Sequence, residues 1–262
     1  MKFLDRLGGY KGFDFLLVIF FFTIQIYCDF SGYSDIAIGT AKLLDIELMT
    51  NFKSPYFSAS IKEFWSRWHI SLSTWFRDYV YIPLGGNRCS KPRYILNLLV
   101  TFLVSGLWHG ANWTFVIWGG IHGIAQVFEN LLSERLTKIR ENRFGHVACV
   151  LAVFIFCNFA WVFFRAETFA DAFYVISNAF SGMTHVRAYL SSNLMPAYDL
   201  LLLLFYISIL TVYDLLDYKS GVMQWLTGKP IIVQWTVYVI LGLIIVFGSQ
   251  KGVAAEFVYF QF

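Results

Sequence analysis

The sequence predicts an all-α, polytopic membrane protein with about 6–8 membrane segments and additional amphipathic helices lying in the interface. Three observations carry this. Only 14% of the 262 residues are charged, against about 25% in a soluble globular protein, so the polar surface is too small to clothe a soluble domain of this length. Several apolar runs approach the roughly 20 residues that a helical span of the bilayer core needs. Aromatic residues make up 20% of the chain, a load suited to lipid contact and to the membrane–water boundary.

Residues 13–27 form the first apolar run. Cys28, Asp29 and Phe30 follow it rather than a small-residue cleavage site, so it is read as a retained membrane helix. Residues 34–49 are apolar but carry Asp35, Lys42 and Asp45, which suggests a short protein-buried span or a re-entrant piece. Residues 51–93 alternate basic with aromatic side chains, among them Lys62, Arg67 and Arg77 with Phe64, Trp65, Trp68 and Trp75, the pattern of helices lying in the interface. Residues 94–108 and 112–132 are two apolar stretches broken by Gly106, His109, Gly110, Gly119, Gly120 and Gly123, read as a hairpin or a broken pair. Residues 147–164, 198–216 and 231–247 complete the set of spans. With no repeat, low-complexity stretch or linker to divide it, the chain reads as a single membrane domain over residues 1–262.

Lysine and arginine collect on cytoplasmic loops. The basic stretches here are the N-terminus, residues 51–93 and residues 133–146, and all three are expected on the cytoplasmic side. That requires residues 13–27 to cross outward and 34–49 to return, and it leaves the loop 166–197 and His109 on the other side. A balance of 20 basic to 17 acidic residues gives no reason to expect nucleic acid as a partner. Cys28, Cys89, Cys149 and Cys157 form no CxxC pair, so neither a disulfide framework nor a zinc site is expected.

His109 stands in the glycine-containing break SGLWHGANW. An ionisable residue at membrane depth is by default a functional candidate, and an imidazole there could take a proton from a hydroxyl; the plainer reading is a neutral histidine bonded across helices. Trp108 and Asn112 flank it. His69, in FWSRWHISLS, and His122, in WGGIHG, are open to the same alternatives: interfacial anchoring for the first and close packing at glycines for the second. Asp29 and Asp35, in CDFSGYSDIAIG, could bind a cation or relay protons, while Ser34 or Asp35 could simply cap the next helix. The run Arg77-Asp78-Tyr79 before PLGGNR could position a phosphate or a carrier protein, or form a turn. His146 and His185 fall in expected loops. No nucleophile elbow, phosphate loop, zinc helix or dinucleotide fingerprint occurs, and His109 and His122 have no glutamate ligand nearby, so no metal is expected.

The segments CDFSGYSDIAIG at 28–39, FWSRWHISLSTWFRDYVYIPLGGNR at 64–88, SGLWHGANWTFVIWGGIHG at 105–123 and FVYFQF at 257–262 resemble the membrane-bound O-acyltransferase (MBOAT) family, in its alginate and peptidoglycan O-acetyltransferase branch. The D-alanyl transferase of teichoic acids is a more distant likeness. The resemblance implies helices that enclose a tunnel and an acyl group passed from a cytoplasmic thioester to an outer hydroxyl. The donor expected from it is acetyl-CoA or another acyl thioester, with no bound cofactor. His109 matches the catalytic histidine of the family's WHG motif, and His69 a histidine of its RWHIS motif. His122, Asp29, Asp35, Asp78, Trp108 and Asn112 are the candidates for supporting or tunnel positions. The resemblance further implies the cytoplasmic (inner) membrane as location. Expected partners are membrane lipid, a cell-surface polysaccharide acceptor, an extracytoplasmic acetyltransferase partner and an acyl-carrier protein. Family members are nearly twice as long, so the chain is expected to correspond to a C-terminal portion whose partner is an N-terminal half. Two other classes stay open: a proton- or ion-coupled transporter using Asp29, Asp35 and the breaks around His109, and an inactive remnant or assembly subunit of a split enzyme.

Overall fold

The computed structural model describes residues 12–181 and 197–248, all of whose regular elements are helical. His185 and the FVYFQF motif fall outside the described residues. Four helices among them are long and apolar enough to cross a membrane: Phe13–Leu43, Arg143–Arg165, Tyr198–Ser220 and Ile231–Gly248. The described residues divide into two compact units, Met1–Leu200 and Leu201–Phe262.

The first unit begins with α1, Phe13–Leu43, one continuous helix of 31 residues, about 46 Å long at 1.5 Å per residue. This corrects the expectation of a span at 13–27 followed by a separate segment at 34–49. The CDFSGYSD segment is helical throughout, and Ser34 and Asp35 lie in the helix rather than cap one. Its hydroxyls and carboxylates do not break the helix because α1 keeps its own backbone ladder, and Thr23 and Thr40 return their hydroxyls to the carbonyls of Ile19 and Ile36.

After α1 the chain turns at Leu44 and Asp45 and comes back along it. The Tyr56 hydroxyl, on the 3₁₀ turn Pro55–Phe57, donates to the Thr23 carbonyl at 2.8 Å. Two short helices follow, α2 (Ile61–Arg67) and α3 (Ile70–Phe76), and α3 runs into a π-helical turn, Arg77–Tyr81. Here the expectation of helices lying flat in the interface is corrected in part. Phe64 and Trp68 are 0% and 2% exposed, packed into an aromatic core with Tyr27, Tyr56 and Trp161. Only the continuation through Trp75 and Tyr79 presents large rings at the surface.

Helices α4 (Lys91–His109) and α5 (Trp113–Leu131) form the hairpin read from the sequence. Glycine allows it. A Cβ at Gly106 would collide with the Phe115 carbonyl oxygen, and one at Gly119 with that of Phe102, so the two backbones approach as closely as only hydrogen side chains permit. Asn112 caps α5 by accepting from the Thr114 amide at 3.2 Å. Then come α6 (Ser133–Glu141), α7 (Arg143–Arg165) and α8 (Phe169–Asn178), the last opened by a capping box between Thr168 and Asp171.

The start of α1 packs on the end of α7 and on α8. The Gly12 amide donates to the Asn178 carbonyl at 2.9 Å, and Phe15 and Ile19 share a buried cluster with Val162, Ala166, Ala172 and Val175. This corrects the charge-based topology. A single long helix carries the chain across, so Gly12 lies at the same end of the bundle as Ala166 and Asn178, while α6 and the start of α7 lie at the other. Residues 88–93 and 133–143 still share an end: Tyr94 meets Asn130, and Arg140 meets Glu129.

In the second unit, α9 (Ala197–Ser220) ends at Gly221, whose φ of +64° suits glycine. Asp217 accepts from the Val222 amide at 3.0 Å to start α10, Val222–Thr227. Lys229 sits over the Trp225 ring, and α11 (Ile231–Gly248) follows with no buried residue. A helix apolar on every side, like this one, is of the kind that spans a membrane.

Candidate active site

His69 and His109 come from segments 40 positions apart, and the fold sets both at the border of one aromatic cluster: Trp68, which precedes His69, meets Trp161, and Trp161 meets Trp118 and Phe164, the rings that flank His109. His109 ends α4; its ring lies among Trp108 at 5.0 Å, Phe164 at 5.1 Å and Trp118 at 5.2 Å between centroids. Gly110, next in sequence, leaves room for Phe115, whose ring a Cβ there would strike at 2.7 Å. The histidine is thus held in an aromatic frame by three elements, α4, α5 and α7.

His69 occupies the joint between α2 and α3 in the left-handed conformation, φ +43° and ψ +56°, a strained backbone for a residue with a side chain. Its ring meets the edge of Phe30 at 4.6 Å. The joint is held by residues 51–53: the Lys53 amide donates to the Arg67 carbonyl and the Ile70 amide to the Asn51 carbonyl, both at 3.0 Å. Arg67 adds a bond to the Lys53 carbonyl and an ion pair to Glu63. Burial lowers the His69 pKa to about 4, so the ring is neutral at pH 7.

His122 is placed differently. It is 1% exposed and enclosed by the rings of Phe64, Trp65, Phe102, Trp118 and Phe156. The Trp65 indole N–H donates to its Nδ1 at 3.3 Å, which puts the ring proton on Nε2, and that atom is without a hydrogen-bond partner among the described residues. Trp118 separates His122 from His109, touching both.

Of the other candidates, Trp108 bridges His109 to Phe76 on α3. Asn112 caps α5 and donates to the Glu167 carbonyl at 2.9 Å, tying the hairpin to the start of α8. Asp29 precedes the Phe30 that meets His69, and Asp35 is exposed further along α1. Asp78 pairs with Arg77 at 2.7 Å on the surface of the π-helical turn.

A cavity of about 500 Å³ lies between α2–α3 and the α4–α5 hairpin. Lys62, Arg77 and Asn87 line it together with Trp65, Phe76 and Phe102, and it reaches Ile70, next to His69, and Ser105, one helical turn before His109. The sequence reading passed over Glu129, which ties α5 to the start of α2. Its carboxylate accepts from the Ile61 and Lys62 amides at 2.7 and 3.3 Å and pairs with Arg140, so α5 anchors the N-terminus of α2. Among the described residues no group of His, Cys, Asp and Glu is placed to hold a metal ion.

A sequence profile decides the lineage: residues 12–169 match the MBOAT, membrane-bound O-acyltransferase family. The chain belongs to that family. Its MBOAT relatives include the "Probable alginate O-acetylase AlgI" of Azotobacter vinelandii, 41% identical over 209 residues, which are 80% of this chain and 40% of the relative. The "Peptidoglycan O-acetyltransferase" of Helicobacter pylori is 34% identical over 260 residues, 92% of this chain and 48% of the relative. A "Teichoic acid D-alanyltransferase" of Streptococcus thermophilus is 34% identical over 147 residues, 52% of this chain and 34% of the relative. The chain thus spans less than half the length of these MBOAT relatives.

Proposed function

We propose that this chain is the histidine-bearing portion of a membrane O-acyltransferase, transferring acetyl from a thioester donor to a hydroxyl of a cell-surface polysaccharide. The observation that carries this reading is that His69 and His109 border one aromatic cluster, while a cavity lined in part by Lys62 and Arg77 reaches Ile70, next to His69, and Ser105, one turn before His109. The end bearing residues 88–93 and 133–143 faces the cytoplasm of a cell's inner membrane, and the donor, acetyl-CoA or an acyl-carrier protein's thioester, enters from there past Lys62 and Arg77. The acceptor comes from the end near Asn112 and Glu167, brought by an extracytoplasmic partner. His109 orients or deprotonates the acceptor hydroxyl; its oxygen attacks the thioester carbonyl, the carbon–sulfur bond breaks, and the proton passes to the departing thiolate. Relatives named for alginate and peptidoglycan acetylation support acetyl and polysaccharide as the two substrates. The single membrane domain works together with helices supplied by the half of the relatives that this chain does not span.

The test is transfer of radiolabelled acetyl from acetyl-CoA to polysaccharide in membranes holding this chain, alone and joined to its upstream genomic sequence, each beside His109→Ala. A loss of 100-fold or more, in the range of about 10²–10⁴ for a proton-transfer group, is expected in whichever form is active. Undiminished transfer by His109→Ala overturns the role of His109, and no transfer in any form overturns the acetyl-CoA reading.

A further inference from the structure

The polar groups behind His69 determine where its ring proton sits. Asn51 Oδ1 accepts from the Ser71 amide at 3.1 Å and lies 2.6 Å from the Ser71 hydroxyl. An atom facing a backbone N–H must be the amide oxygen, so the side-chain orientation of Asn51 is settled. A carbonyl oxygen has no proton to give, so the short contact spends the one hydroxyl proton of Ser71 on Asn51. Ser71 Oγ also lies 3.3 Å from His69 Nδ1. Having no proton left, it can only accept there, and Nδ1 must carry the hydrogen. Nε2, across the ring, then holds the lone pair, and it makes no hydrogen bond to the described residues. Asn51 is held in turn from α1, its Nδ2 donating to Ser34 Oγ at 3.5 Å. Its main-chain carbonyl receives the Ile70 amide, so one residue fixes both the left-handed joint and the tautomer.

We propose that Asn51 and Ser71 are positioning residues which hold His69 with its proton on Nδ1, making Nε2 its proton-accepting atom. This rests on the acyltransferase reading above and deepens it: His109 orients the acceptor hydroxyl and His69 takes its proton. As the acceptor oxygen bonds to the acyl carbon, its proton moves to Nε2; as the carbon–sulfur bond breaks, the same proton returns from Nε2 to the thiolate. No further reactant is needed. A buried chain that fixes a tautomer does for His69 what an orienting group does for any histidine base.

Nitrogen-15 NMR of the histidine-labelled chain in lipid nanodiscs tests the placement without relying on activity. The His69 signal is identified by its loss in His69→Gln. Protonated Nδ1 and bare Nε2 are expected in the unaltered chain and in Ser71→Thr, which keeps the hydroxyl. In Asn51→Ala the Ser71 hydroxyl is freed to donate to Nδ1, and the ring proton is expected to move to Nε2. A ring protonated on Nε2 in the unaltered chain, or a tautomer unmoved by Asn51→Ala, overturns the proposal. In the form of the enzyme that transfers acetyl, Ser71→Ala is expected to lower kcat by about 10- to 100-fold, the lower part of the range for proton transfer, with KM for the donor unchanged and rescue in Ser71→Thr. Full kcat in Ser71→Ala beside the expected tautomer overturns the catalytic part alone, whereas a failure of the acyltransferase reading shows as no transfer in any variant, with the NMR result standing.

Discussion

Three of the histidines stand in aromatic surroundings, yet their neighbours divide the work among them. His122 is locked by Trp65 and sealed from solvent, His109 is framed but part-exposed at the end of a helix, and His69 is bent into the left-handed region beside a polar chain. Burial of His69 has a consequence for stability. Its pKa falls from 6.5 to about 4 on folding, so between those values the unfolded chain binds the extra proton. Stability therefore declines as pH drops from 6.5 toward 4 and is fully kept above 6.5. Thermal unfolding of the nanodisc-held chain at pH 7.5 and pH 5 is expected to show a steeper acid loss in the unaltered chain than in His69→Gln; equal losses would contradict a buried neutral imidazole.

Adjacent glycines on α5 have opposite roles. At Gly119 an added Cβ would run into the Phe102 carbonyl and come within 3.2 Å of the Gly106 amide nitrogen, whereas at Gly120 it would meet only Leu103 Cδ2 at 3.5 Å. Gly119→Ala must part the hairpin and is expected to cost about 1–3 kcal/mol, as overpacking does. Gly120→Ala should be neutral or slightly stabilising, because alanine is the better helix former by about 1 kcal/mol. Differential scanning calorimetry of the two variants separates them, and similar melting points would refute the close-packed hairpin. The same packing places His109, since α4 ends where the glycines bring it against Trp118 and Phe115.

Across the whole bundle, one end carries Gly12, Ala166, Asn178 and the link from Asn112 to Glu167. The other carries Lys91, Glu129, Arg140 and α6. In a background with the 4 native cysteines replaced, a membrane-impermeant maleimide is expected to label Phe13→Cys and Glu167→Cys from one side of oriented vesicles and Lys138→Cys from the other. Labelling of Phe13→Cys together with Lys138→Cys would restore the topology expected from charge alone.

The all-helical membrane class and the α4–α5 hairpin were legible in the sequence, and His69, His109 and His122 were its candidate histidines. Hydropathy and motif content are local properties, and a bilayer demands long apolar helices whatever their neighbours. The continuous α1 was not legible, because Asp29, Ser34 and Asp35 resemble a helix stop when read alone, yet an unbroken backbone ladder tolerates them. Nor could Asn51 and Glu129 be recognised, since Asn51 bonds to Ser71 20 positions on and Glu129 to Ile61 68 positions back, and no spacing rule reaches that far; Ser71 lies only two residues from His69, but its proton is committed by Asn51. Tertiary structure alone decided which histidine is sealed and which rings and polar groups surround the other two. That outcome depends on how closely glycine lets two helices approach and on where a returning chain finds its hydrogen bonds.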